Sequence, residues 1–179
     1  MYTKRKRTGE RRILQNLYNE SAEFHKIFDD RQPATPTALD HENLVDRVGF
    51  ILEELTEMAT IGCQTPDEIE ATFAQVEARL QMAKTKILRK QPSVYPPIVQ
   101  QADALGDIAY LTFGSYVLMG VDPDNILATI HAANMHKLFP DGQAHRDPVT
   151  GKVLKPASWA AQYQPEPLIA QEIARQGER

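Results

Sequence analysis

The sequence predicts an all-α protein: a helical bundle with a four- to five-helix core and a short C-terminal arm that is partly irregular and contains a hairpin. Three observations predict it. Apolar residues recur at three- and four-residue spacing in five long segments. Prolines fall between those segments or at their first positions, where helices tolerate them. Alternating apolar and polar runs of the kind that make strands are sparse.

The first helix is expected from about Thr8 to Asp29, with Ile13, Leu17, Phe24 and Phe28 on one stripe. Pro33 and Pro36 make the following stretch a loop. A second helix begins near Asp40 and carries LVDRVGFILEELTEMATIG, residues Leu44 to Gly62. Val45, Val48, Leu52, Leu55 and Ala59 line one face of it, and Glu53, Glu54 and Glu57 crowd the other. Phe50 and Gly49 interrupt the acidic face, and a glycine there costs about 1 kcal/mol of helix stability unless close packing repays it.

Thr65-Pro66-Asp67-Glu68 reads as a cap, a first-position proline and a capping-box glutamate. The third helix that follows has the seam Ile69, Phe73, Val76, Leu80, Ala83 and Ile87, and it ends in the basic turn Lys84 to Lys90, which suits the negative end of the helix dipole. It reads as a packing helix. Pro92, Pro96 and Pro97 break the chain before a fourth helix, which runs to Gly120 and is apolar on nearly every side, as a helix at the centre of a bundle would be. A fifth helix starts at Asp122-Pro123 and runs to about Leu138. Beyond Pro140, a hairpin between Ala144–Arg146 and Lys152–Leu154 and a short helix from Pro167 to Gln176 are expected.

With 179 residues, 42% of them hydrophobic, the chain reads as one domain able to bury its own core, with a frayed basic terminus over 1–10 and an arm over 139–179. A formal charge of −4 gives no electrostatic reason to bind nucleic acid or an anionic membrane. No apolar run approaches the roughly 18 residues of a membrane span, and the N-terminus lacks the apolar core of a secretory leader. The single Cys63 excludes an internal disulfide framework and reads as a small packing residue in a cytoplasmic protein. The five histidines show no zinc spacing, and there is no phosphate-binding glycine loop, serine-nucleophile elbow or dinucleotide fingerprint.

The chemistry is expected at the acids. EExxE alone is a common solvated helix face. Asp103 and Asp107 stand one turn apart on the most apolar helix, where burial would remove hydration that only a counter-charge could replace. Arg47, Lys137 or a divalent cation could supply it. Carboxylates facing one another across a bundle can hold a pair of metal ions, and all-oxygen ligands favour Mg²⁺, with Mn²⁺ as a substitute. A third cluster comprises His131, Asn134, Lys137, Lys152, Lys155 and Trp159: lysines suit phosphate oxygens, and an amide and an aromatic ring suit a base or sugar.

In order along the chain stand AEFHKIF, the arginine and acids from Arg47 to Glu57, and DALGDIAYLTFG from Asp103 to Gly114. GVD at Gly120 to Asp122, HAANMHKL at His131 to Leu138 and GKVLKP at Gly151 to Pro156 follow. This set resembles the MazG-like, all-α nucleoside triphosphate pyrophosphohydrolase superfamily, in its phosphoribosyl-ATP-pyrophosphohydrolase-like branch. The resemblance implies Mg²⁺-dependent hydrolysis of an NTP to NMP and pyrophosphate, with a mild preference for a purine dNTP. It implies metal binding by Glu54, Glu57, Asp107 and Asp103, a catalytic role for Glu53 or Glu54, and substrate contacts from Arg47, Asn134, Lys137, Lys155 and Trp159. It also implies a homodimer or homotetramer. The family pattern, EExxE then ExxD, is departed from at Ala104, where the second glutamate would stand; Asp103 is its nearest substitute. The alternatives are phosphoribosyl-ATP or another phosphoanhydride metabolite as substrate, and a non-catalytic helical binding protein.

Overall fold

The computed structural model of the chain describes residues 10–29 and 31–178, with side chains from residue 16 onward. It is helical throughout: α1 Glu10–Phe28, α2 His41–Ala59, α3 Pro66–Leu88, α4 Pro97–Met119, α5 Asp124–Met135, α6 Trp159–Tyr163 and α7 Glu166–Gly177. The basic stretch expected to fray lies outside the described residues. The short α6 has no periodic signal in the sequence, being only five residues long.

Local chemistry sets the helix ends. Asp40 caps α2 by accepting from the Asn43 amide at 2.9 Å. Thr65 and Glu68 form the expected capping box at the head of α3, with Pro66 in the first turn. Gly120 closes α4 with a positive φ of 67°, and Val121 N–H reaches back to the Tyr116 carbonyl, as the Schellman motif requires. At α5 the expected cap shifts: Pro123 takes the cap position without a side-chain bond, and the Asp122 carboxylate accepts from the Asp124 amide instead.

The chain gathers into two compact units, Met1–Ala34 with Ile108–Arg179, and Thr35–Asp107; the division falls inside α4. In the first unit α5 packs against both α1 and α7. Its interior holds Phe28, 2% exposed, with Ile126, Ala133 and Trp159. The Trp159 indole donates to the Ala133 carbonyl at 2.8 Å, which pays for its burial with a satisfied N–H. Gln176 ties α7 to the head of α5, accepting from the Asp122 amide and donating to the Asp122 carbonyl, both at 2.8 Å. The Arg146 guanidinium donates to the carbonyls of Phe28 and of Gly151, so the arm is fastened to the end of α1. The expected hairpin is reduced to one antiparallel bridge, Arg146 with Val153, around a turn that the Asp147 carboxylate organises by accepting from Val149 and Thr150.

In the second unit α2 and α3 form a helical hairpin joined through Thr60–Thr65. Cys63 sits half-buried at its tip, with Sγ 3.5 Å from the Thr72 hydroxyl, in the packing role expected of it. Gln101 of α4 accepts from the Leu39 amide and donates to the Leu39 carbonyl, both at 2.9 Å, which pins the start of α4 beside the start of α2.

One expectation is overturned. α4 is not a helix buried at the centre of a bundle: none of its residues is buried, and Leu118 is 90% exposed. A helix with this composition needs cover, and within this chain it does not get it.

Candidate active site

Glu53, Glu54 and Glu57 lie together on the last two turns of α2, as the spacing requires. Glu53 is half-buried, and Glu54 and Glu57 are exposed. The Glu53 carbonyl accepts from the Thr56 hydroxyl at 2.8 Å, and the Glu57 carbonyl from the Thr60 hydroxyl at 3.1 Å. Phe50, an odd residue for a solvated face, is half-buried with the Arg47 guanidinium 5.5 Å from its ring centroid. Arg47 is therefore held on its own helix, nearly two turns before the acids. At Gly49 an added Cβ would meet nothing within 4 Å, so no close packing within the chain accounts for that glycine.

Asp103 and Asp107 share one face of α4, but both are exposed. The expected desolvated pair is therefore not what the single chain contains, because the helix that carries it is uncovered. Nor do the two acidic elements meet. Among the described residues, no three Asp, Glu, His or Cys side chains are grouped to hold a metal ion. The Gln101 clamp explains this. From Leu39, α2 climbs about 20 Å to reach Glu53, whereas α4 climbs only about 9 Å from Gln101 to Asp107. Even if the helices ran alongside, roughly 10 Å of helix length would separate the two sets. The donors are nevertheless all carboxylate oxygens, the set that suits Mg²⁺ or Mn²⁺ and does not suit zinc or copper.

The third cluster lies in the first unit. Asn134 and Lys137 are half-buried at the end of α5, and Lys155 is exposed with its ammonium 4.1 Å from the Trp159 ring centroid. Trp159 itself is 7% exposed, with its N–H committed to Ala133. A ring enclosed on this scale packs in the core, with the Lys155 ammonium lying against its face. The histidines take local structural roles: His25 contacts Asp29 at 3.2 Å, His145 contacts Asp141 at 2.7 Å, and His131 stands 3.4 Å from Glu23. His136 stacks on Tyr163 at 3.8 Å between centroids. For Asp29, burial raises the carboxyl pKa, but the Arg31 amide, His25 and Arg146 together outweigh it and hold it below the usual range.

Two clamps that fix these elements, Gln101 and Gln176, escape sequence reasoning because their partners lie 62 and 54 positions away. No local pattern announces such a pair.

Residues 21–134, the stretch containing both acidic elements, match the phosphoribosyl-ATP pyrophosphohydrolase family. The chain belongs to that family. It is therefore a hydrolase acting on phosphoanhydride bonds, a pyrophosphohydrolase of nucleotide-type substrates. No functionally curated protein matches it. Among solved structures, a candidate NTP pyrophosphohydrolase from Exiguobacterium sp. 255-15 is 32% identical. That match spans 91% of this chain and 96% of the other, with a TM-score of 0.78. A likeness of that extent carries the all-α MazG-like fold across nearly the whole chain.

Proposed function

We propose that the protein is a Mg²⁺-dependent nucleoside triphosphate pyrophosphohydrolase that converts a (d)NTP, with a mild preference for purine dNTPs, to the monophosphate and pyrophosphate. The observation that carries the proposal is the pair of acidic helix faces, Glu53, Glu54 and Glu57 on α2 and Asp103 and Asp107 on α4, inside the family match. Glu54, Glu57, Asp107 and Asp103 would hold the metal once the two faces, which do not meet within the single chain, are brought together; bound there, it would neutralise polyphosphate charge and make water a better nucleophile. Glu53 or Glu54 would accept the proton of the attacking water at a carboxylate oxygen. Arg47, Lys137 and Lys155 would meet phosphate oxygens, and Asn134 the sugar or base. Trp159 would act through the ring face that Lys155 lies against, since the ring itself is largely enclosed.

The working form in this reading is a homodimer or homotetramer in the cytoplasm. The support is physical: α2, α3 and α4 together bury no residue within the chain, although each carries an apolar stripe. No described helix is long and apolar enough to cross a membrane.

The test is a panel of the common NTPs and dNTPs with Mg²⁺, reading pyrophosphate and monophosphate together. Equal release of both from at least one substrate is the expected result. Release of single phosphate, or no release from any substrate with Mg²⁺ or Mn²⁺, would remove the reading. The family match favours one second substrate, phosphoribosyl-ATP, which belongs in the same panel.

A further inference from the structure

Phe28 is the last residue of α1, and its carbonyl is one of those that a helix leaves without a partner from its own backbone. The Arg146 guanidinium donates to it from 118 positions along the chain. A cation at that negative end of the helix dipole is favourable. Another nitrogen of the same guanidinium donates to the Gly151 carbonyl at 2.7 Å. Asp29, next to Phe28, feels the same positive charge. One planar fork thus joins the end of α1 to the far side of the turn that Asp147 organises, a geometry that a lysine ammonium does not reproduce.

What this clasp holds is the stretch that leads to Lys155. The Asp147 amide donates to the Lys152 carbonyl at 2.8 Å, Arg146 and Val153 form the antiparallel bridge, and the Leu154 amide donates to the His145 carbonyl at 2.8 Å. Lys155 follows at once. Beyond it the Trp159 amide bonds to the Pro156 carbonyl at 2.9 Å as the chain turns into α6. The backbone at Lys155 is therefore tied on both sides. Its ammonium lies 4.1 Å from the centroid of a ring whose own N–H is bonded to Ala133 of α5. A long, flexible lysine loses rotamer freedom when an anion orders it, and one whose backbone is already placed loses less.

We propose that Arg146 is a positioning residue for phosphate binding: it touches no phosphate itself, and it holds the hairpin so that Lys155 already lies over Trp159 when a polyphosphate arrives. This rests on the reading above, in which Lys155 meets phosphate oxygens. A guanidinium that gives N–H groups to two carbonyls is engaged in the fold rather than presented to an anion.

The test is a double-mutant cycle on the full chain with two readouts: KM and kcat for pyrophosphate release from the best (d)NTP of the panel, and the dissociation constant of inorganic triphosphate by calorimetry. Lys155→Ala should raise KM by roughly tenfold, as loss of one charge-assisted contact does. Arg146→Met should raise KM by roughly three- to tenfold, with kcat changed by less than about twofold. In a chain that already carries Lys155→Ala, Arg146→Met should have no further effect, because the residue through which it acts is gone. The dissociation constant of inorganic triphosphate should follow the same pattern. Arg146→Lys keeps the charge but not the two-carbonyl clasp, so it should behave as Arg146→Met does, and it carries the cycle if the methionine variant does not fold. Independent, multiplying effects of the two substitutions would overturn the proposal, since Arg146 would then act on phosphate or on the fold without Lys155. An unchanged KM in the Arg146 variants, or a fall in kcat with KM unchanged, would overturn it as well. A parent protein that releases no pyrophosphate, yet binds inorganic triphosphate with the predicted non-additive pattern, would remove the pyrophosphohydrolase reading and leave the positioning role standing.

Discussion

Phe28, Ile126, Ala133 and Trp159, the buried hydrophobic residues among those described, all belong to the unit built from α1, α5 and the C-terminal arm. The unit from Thr35 to Asp107 holds comparable apolar stripes on α2 and α3 and buries none of them. The contrast does not come from composition. Val45, Val48, Leu52 and Leu55 are as apolar as the residues that close the first unit. It comes from supply: α5 has a helix packed on each of two sides, whereas the α2–α3 hairpin is two helices deep and exposes whatever faces away from the pair. A two-helix hairpin has too little surface to make an interior of its own, so its hydrophobic face stays exposed within the chain.

That difference can be broken at its strongest point first. Trp159→Ala should cost about 3–5 kcal/mol, because it removes a large enclosed ring and leaves the Ala133 carbonyl without its donor. Urea unfolding at several protein concentrations would measure it, and the loss should not depend on concentration. Phe28→Ala should cost about 3 kcal/mol in the same concentration-independent way. Phe73→Ala, the same chemical change in the other unit, should instead lower the midpoint by an amount that grows as the protein is diluted, because its loss acts through association. If the Phe28 and Phe73 variants respond alike to dilution, the contrast between the units is wrong.

Activity gives a second line across the same divide. Glu57→Ala and Asp107→Ala should each reduce pyrophosphate release by on the order of a hundredfold or more with the thermal midpoint in the absence of metal little changed, since both side chains are exposed. In the unmodified protein, Mg²⁺ should raise the midpoint by mass action, and each variant should blunt that rise.

The smallest effect belongs to α7. Hydrogen bonds from Arg175, Gln176 and Asn125 lower the Glu172 carboxyl pKa to about 2. A carboxyl depressed in the folded state stabilises it above its ordinary pKa of about 4.5, and loses that contribution as pH falls toward 2. Stability attributable to Glu172 should therefore be full at neutral pH and fade between those limits. Glu172→Gln should remove only that part of the acid dependence, visible as a small narrowing of the difference between variant and parent below about pH 4.5.

How much of this was legible in the sequence depends on the range of the interaction. The helices from His41 to Ala59 and from Pro66 to Leu88 follow from periodicity and from caps that act across three or four residues, and both stand where those signals put them. The clustering of Glu53, Glu54 and Glu57 follows from the helix repeat alone. The covering of α4 did not follow, because an all-round apolar helix says that it needs a neighbour without saying which chain provides it. The enclosure of Trp159 did not follow for a related reason: an aromatic near lysines has the composition of a base platform, and only tertiary packing buries this ring against Ala133.

The sequence by itself determined the all-α class, the capped helix ends, the acid pairs and the family, all of which are read over short windows or from an ordered series of motifs. The tertiary structure decided which stripes are buried and which acids meet. Those outcomes depend on pairings such as Gln101 with Leu39, made between residues far apart in the chain, which set how far along one helix another can reach.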